Sequence, residues 1–116
     1  MSAAATDCLF CKIVKKEIPA SFVHEDADVV AFEDIAPGAP THLLVVPKAH
    51  LARLSEAQPE HAALLGKILA AAARIAREKS LGDFRVVMND GAQAGQSVFH
   101  VHLHLLAGRP FAWPPG

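Results

Sequence analysis

This sequence lacks an excess of either positive or negative charge. Its 11 lysines and arginines meet 12 aspartates and glutamates, for a net charge of −1 with histidine neutral. Duplex nucleic acid, which normally demands a basic face, is therefore not the expected partner. Long apolar runs are missing too: none approaches the ~20 residues of a membrane span, so no membrane partner is expected. The opening stretch, residues 1–7, has neither a basic segment nor a long apolar one. It does not read as a secretion signal, and the expected location is cytoplasmic. Cysteine is scarce: Cys8 and Cys11 are the only two, and at that spacing they are no disulfide framework. Internal repeats and composition-shifted linkers are absent as well. What remains is a chain of 116 residues, 52% of them apolar, which sets a single domain with one core over residues 1–116.

The apolar residues are patterned. Cys8 to Lys16 suits a short helix halted by Pro19. Phe22–Glu25 and Val29–Glu33 read as a hairpin about Glu25-Asp26-Ala27-Asp28. Thr41–Pro47 reads as a central strand stopped by a residue that cannot donate to a ladder. Pro59 fits the start of a long helix and Gly82 its C′ position. Between them Leu64, Leu65, Ile68, Leu69, Ala72, Ile75 and Ala76 form one stripe, expected to be core. Phe84–Met88 and Ser97–Leu106 read as two further strands separated by a glycine-containing loop. Residues 1–7 are expected to be flexible and 107–116 to form an extended tail. Strands, one long helix and more strands make an α+β domain with an antiparallel sheet of about five strands.

The last strand carries the strongest signal. In Phe99-His100-Val101-His102-Leu103-His104-Leu105 a histidine recurs at every second position, the period that puts all three rings on one face and the apolar residues on the other. At about 6.6 Å between alternate residues, the outer rings span about 13 Å, enough for a phosphate with a group attached on each side. Neutral imidazole is both a nucleophile toward phosphorus and a leaving group, as transfer through a covalent intermediate requires. His102, flanked by the other two, is best placed to attack. Metal ligation is the competing use of such rings.

Three further groups could serve this strand. Asn89 to Ser97 contains small residues whose backbone N–H groups, with the Ser97 hydroxyl, could face an anion. Asp34, between a strand and a rigid connector, could accept ribose hydroxyls, although a lone loop aspartate more often serves a turn. Cys8-Leu9-Phe10-Cys11 could give two thiolates to one zinc, with His50 and His100 as candidates for the other two places; a redox pair or two small core residues are the alternatives.

The run His100 to Leu106 resembles the His-φ-His-φ-His-φ-φ signature (φ apolar) of the histidine-triad superfamily. Phe32-Glu33-Asp34-Ile35, Pro40-Thr41-His42, Val46-Pro47-Lys48, Gly95-Gln96-Ser97-Val98-Phe99 and the terminal Trp113-Pro114-Pro115-Gly116 extend the likeness to its Hint branch. The Fhit branch, which splits dinucleoside polyphosphates, would not be expected to end in Trp-Pro-Pro-Gly. The resemblance implies the histidine-triad fold with its sheet continued across a two-fold homodimer, and hydrolysis of purine nucleoside phosphoramidates. In that family pattern His102 attacks the α-phosphorus, His104 and His42 hold phosphate oxygens or help protonate the amine, and His100 orients their neighbourhood. Asp34 takes the ribose; Asn89, Gly95 and Ser97 the phosphate region; Ile35, Phe10 and Phe32 the purine. Trp113 shapes the leaving-group end from the partner chain. Cys8, Cys11, His50 and His100 bind a structural zinc, and no cofactor is needed for the chemistry. Ala107, where this branch commonly has glycine, adds a methyl expected beside the site. The other readings are a non-catalytic nucleotide-binding or signalling module, a dinucleoside polyphosphate hydrolase, and a metal-dependent hydrolase. A site spread over all three triad rings is too long for one metal ion.

Overall fold

The central strand explains the layering. In a computed structural model that describes residues 7–116, Thr41–Pro47 is a seven-residue strand buried on both faces from Leu43 to Pro47. Continuous apolar character is what a strand covered on both sides requires. Numbered in chain order, the elements are α1 (Leu9–Val14), β1 (Phe22–Glu25), β2 (Val29–Glu33), β3 (Thr41–Pro47), α2 (Ala62–Glu78), β4 (Phe84–Val87) and β5 (Leu103–Ala107). All five strands join one antiparallel sheet in the order β1-β2-β3-β5-β4. This is the α+β architecture expected: a five-stranded antiparallel sheet, one long helix and one short one. The flexibility expected of residues 1–7 falls, apart from Asp7, outside the described residues.

Alternation along the strands separates two cores. Val29, Ala31, Leu43, Val45, Leu103 and Leu105 face α2, where Ile68, Ala71, Ala72 and Ile75 pack on them. Val30, Phe32, Leu44 and Val46 face the other way, against Cys8, Phe10, Cys11 and Ile13 of the α1 segment. The first core anchors the sheet and the second leaves room for a site.

Several boundaries differ from expectation. Helix α1 ends at Val14, well before Pro19, because Glu17 N–H returns to the Lys12 carbonyl and Lys16 N–H to Ile13, with Lys16 at φ 64°. Helix α2 ends the same way: Leu81 N–H reaches the Ala76 carbonyl at 3.0 Å and Ser80 N–H reaches Arg77 at 3.1 Å. This is the bond pair of a Schellman C-cap. The C′ residue is therefore Ser80, at φ 53°, and not Gly82. A serine in the left-handed region bears a Cβ clash that glycine lacks. Ser80→Gly is expected to stabilise the fold by about 0.5–1 kcal/mol, the relief exceeding glycine's extra chain entropy; a denaturation midpoint no higher than wild type would contradict it.

Leu69, expected in the core stripe, is 52% exposed. It borders a groove with Leu54, Leu65, Val86 and Met88 where α2 overhangs the edge strand β4. β4 itself stops at Val87.

The largest departure is at the histidines. The strand expected over Ser97–Leu106 is paired only from Leu103 to Ala107. The β3–β5 register would set Val101 opposite Pro47, which has no N–H to give. Val101 sends its own N–H to the Leu51 carbonyl instead, at 2.6 Å. The alternation persists without the ladder, with Val101, Leu103 and Leu105 all buried. Ala107 is the last residue of β5, so the irregular tail covers 108–116. Its Cβ shares the face of Leu103 and Leu105, and it is not among the residues lining the cleft described below. The extra methyl lies on the α2 side of the sheet, away from the site.

Candidate active site and metal centre

On the α1 side of the sheet a cleft of about 690 Å³ opens, within the size range of small-molecule sites. Phe10, Ile13, Ile18, Phe32, Ile35 and Leu44 give it apolar walls, and Asp34, Ser97, His102 and His104 supply the polar side. The walls come from α1, β2, β3 and the segment before β5, elements brought together only by the fold. Ile13, Ile18 and Leu44 have no distinguishing sequence signal: each is one apolar residue in an apolar segment.

Hydrogen bonds fix the state of each ring. His102 is 6% exposed. Its Nδ1–H donates to the His100 carbonyl at 2.8 Å, which leaves the lone pair on Nε2. Phe10 stands edge-on to this ring at 5.0 Å between centroids and to Phe32 at 5.5 Å. Phe10 thus holds the His102 ring as well as forming a wall. Burial lowers the His102 pKa below the usual histidine value, so the ring is neutral near pH 7. His104 is pushed down to about 4, by burial first and then by His102 and His42. His42, on β3, reaches His104 Nδ1 through Nε2 at 2.9 Å and lies 3.3 Å from Asp34 Oδ2. Asp34 also accepts the Ala36 N–H at 2.8 Å, so it serves a turn and faces the cleft at once.

Other expected site residues are placed differently. Gly95 gives its N–H to Ala92 inside the loop, and its missing Cβ leaves space for the Asn89 amide, 3.3 Å from where that atom would stand. Neither Asn89 nor Gly95 lines the cleft, whereas Ser97 does. Trp113 is 82% exposed and does not line its own chain's cleft. The sequence reading missed Gln96, which is 2% exposed. Its amide accepts from Gly91 N–H and donates to the Ala52 and Val98 carbonyls, bracing the loop behind Ser97. Glutamine is rarely buried without such partners, but its sequence position does not announce them.

The first triad histidine belongs to a second centre. His100 is fully buried, and its Nε2–H donates to the Pro47 carbonyl at 2.8 Å. Its Nδ1 lone pair therefore faces Cys8 Sγ at 3.4 Å, Cys11 Sγ at 3.5 Å and His50 Nδ1 at 3.2 Å. The cysteines meet because Cys8 caps α1, accepting the Cys11 N–H on its sulfur, so both thiols sit on the first turn. The four donor atoms lie within 4.8 Å of one another. Tetrahedral zinc bonds of ~2.0–2.3 Å require donor separations of roughly 3.3–3.8 Å, and two thiolates with two imidazoles are a zinc donor set. The residues fit zinc. Burial and the neighbouring Cys8 push the Cys11 thiol up to about 11, so a dication is what would draw off its proton. With four protein ligands such an ion has no open position, and its role is structural.

The comparisons with known proteins agree with this arrangement. A family model described as "Scavenger mRNA decapping enzyme C-term binding" matches residues 7–110. A HIT-like protein of Synechocystis is 53% identical over 113 residues, 97% of this chain and 99% of that protein. A "14 kDa zinc-binding protein" of Zea mays is 50% identical over 111 residues, covering 93% of this chain and 87% of that protein. Among solved structures, a HIT family hydrolase from Legionella pneumophila superposes with a TM-score of 0.91 at 48% identity, covering 94% of this chain and 99% of that one. Three alternating histidines on and before β5, an apolar cleft at their side and this run of relatives lead to one conclusion: the chain belongs to the histidine-triad (HIT) family.

Proposed function

We propose that this chain is a phosphoramidase of the Hint branch, hydrolysing purine nucleoside 5′-phosphoramidates through a covalent nucleotidyl-histidine. The observation that carries the reading is the bond from His102 Nδ1–H to the His100 carbonyl, which leaves a neutral Nε2 lone pair beside an apolar cleft. His102 Nε2 attacks the α-phosphorus, the P–N bond breaks, and the amine leaves with a proton from solvent. Water then cleaves the nucleotidyl-histidine and restores the ring. The apolar walls, Phe10, Phe32 and Ile35 among them, suit a purine, and Asp34 has the position to take ribose hydroxyls. Ser97 and His104 hold the phosphoryl group, with His42 behind His104 and with Asn89 and Gly95 shaping the loop that carries Ser97. The names of solved relatives as HIT family hydrolases support hydrolysis as the reaction class.

The reading includes a cytoplasmic homodimer. No described helix is long and apolar enough to cross a membrane. Edge strand β4 exposes Phe84 and Val86, with Leu54 and Leu69 beside it, all at least 40% accessible. Pairing of β4 with its counterpart would bury that surface, extend the sheet across the two-fold axis and bring each Trp113 toward the other cleft. The test is release of amine from an adenosine 5′-phosphoramidate. A folded wild type that binds the nucleotide and releases none would sink the enzyme reading and leave a binding module.

A further inference from the structure

Two groups outside the histidine triad govern where its protons sit. Gly38, in the connector between β2 and β3, points its backbone N–H at His42 Nδ1 at 2.8 Å. A backbone N–H can only donate, so Nδ1 must accept and the hydrogen of neutral His42 must be on Nε2. That hydrogen faces His104 Nδ1 at 2.9 Å, which must accept in turn, and the hydrogen of His104 is thereby placed on Nε2. His104 Nε2 is one of two buried side-chain polar atoms among the described residues with no partner, in a ring that lines the cleft.

Gly38 is itself clamped on its carbonyl side. Arg109, in the C-terminal tail, donates to its carbonyl through Nη2 at 2.9 Å and Nε at 3.3 Å. The guanidinium lies 4.4 Å from the centroid of the Phe111 ring, and Nη1 donates to the Pro110 carbonyl. The tail can run this close only because residue 108 is glycine: a Cβ there would stand 2.7 Å from Pro40.

We propose that Arg109 and Gly38 are positioning residues that lock His42 and His104 in the Nε2–H tautomer, making His104 a fixed hydrogen-bond donor to the phosphoryl oxygens. Deepening the phosphoramidase reading, this assignment rests on it for the identity of the acceptor. The same chain of bonds argues against a metal at Asp34, His42 and His104, whose ligand atoms lie within 4.8 Å of one another. A cation on His42 Nε2 would drive that ring's hydrogen to Nδ1, against the Gly38 N–H. The zinc-type cluster is the opposite case, with the His100 Nδ1 lone pair turned toward both cysteine sulfurs and His50 Nδ1. A donor fixed in advance toward an oxygen that gains charge in the transition state acts on kcat more than on KM.

The test is nitrogen-15 NMR of the histidine rings in wild type, Arg109→Met and Arg109→Lys, beside phosphoramidate kinetics. Wild type is expected to show Nε2–H at both His42 and His104. Arg109→Met is expected to move His42 toward a tautomer mixture and lower kcat about tenfold, part of the ~10²–10⁴ a positioned proton-bearing group contributes, with KM nearly unchanged. Arg109→Lys, which can still donate to the carbonyl, is expected to recover most of both. Nδ1–H at His104 in wild type, or ring shifts and kcat untouched in Arg109→Met, would overturn the assignment. Nε2–H at both rings in a protein with no turnover would overturn the phosphoramidase reading alone.

Discussion

Replacing His102 with alanine is expected to reduce amine release by ~10⁴-fold or more, the scale on which removing a covalent nucleophile acts, while nucleotide still binds. The expectation follows from a division of labour among the rings. His102 alone keeps its Nε2 lone pair while bound through Nδ1–H to a backbone carbonyl. His104 is turned to donate, and the ring of His100 is committed between Pro47 and the cysteines. Neither can take over the attack. The apolar cleft walls and Asp34 stand on other elements and survive the substitution, so binding of AMP serves as the control for a folded cleft. If the variant kept even a tenth of the turnover, attack by water or by another group would have to replace the covalent route. The pH profile carries the same signature. Because burial holds His102 below the ordinary histidine pKa of ~6.5, the neutral nucleophile persists as pH falls through that value. The acid limb of kcat/KM is therefore expected below ~6.5 in place of at it.

Removing zinc is expected to lower the thermal midpoint by more than ~10 °C, at roughly 4 °C per kcal/mol for a domain of this size and several kcal/mol from a closed four-ligand site. Cys8→Ser should reproduce most of that loss. The cluster ties the first turn of α1 to the segment before β5, and without a cation it leaves two thiols and two ring nitrogens crowded within 4.8 Å of one another, out of reach of most water. The chelated protein, assayed below its lowered midpoint, should retain more turnover than His102→Ala, since no step of the reaction runs at the metal. A purified protein free of zinc by elemental analysis, with a midpoint indifferent to chelator, would refute the structural role.

These effects were legible in the sequence to different degrees. The continuous apolar runs of β2 and β3 marked their limits, because both strands are buried on both faces and are bounded by turn residues or by Pro47. The alternation at His100 to Leu105 showed which residues face the core, but not that pairing begins only at Leu103. That depends on Pro47 lying opposite Val101, a register no local pattern reveals. Residue types and spacing offered Cys8 and Cys11 to a metal with His50 and His100 as candidate partners, and the family resemblance completed that donor set. The cleft walls Ile13, Ile18 and Leu44 could not be picked out, because apolar residues look alike until α1 is docked on the sheet. Nor could the bracing by Gln96 or the clamp through Gly38, which work through backbone groups that every residue possesses.

His100 ends as the residue with two obligations: its ring serves the metal and its carbonyl serves the nucleophile. In evolutionary terms this makes the two centres separable in only one direction. A descendant could shed Cys8, Cys11 and His50 together and still hold position 100 through the bond from its ring to the Pro47 carbonyl. Losing one ligand alone would strand the other three in a buried, unmet cluster. Lineages should therefore gain or drop the metal set as a block, while the three alternating histidines pass through unchanged.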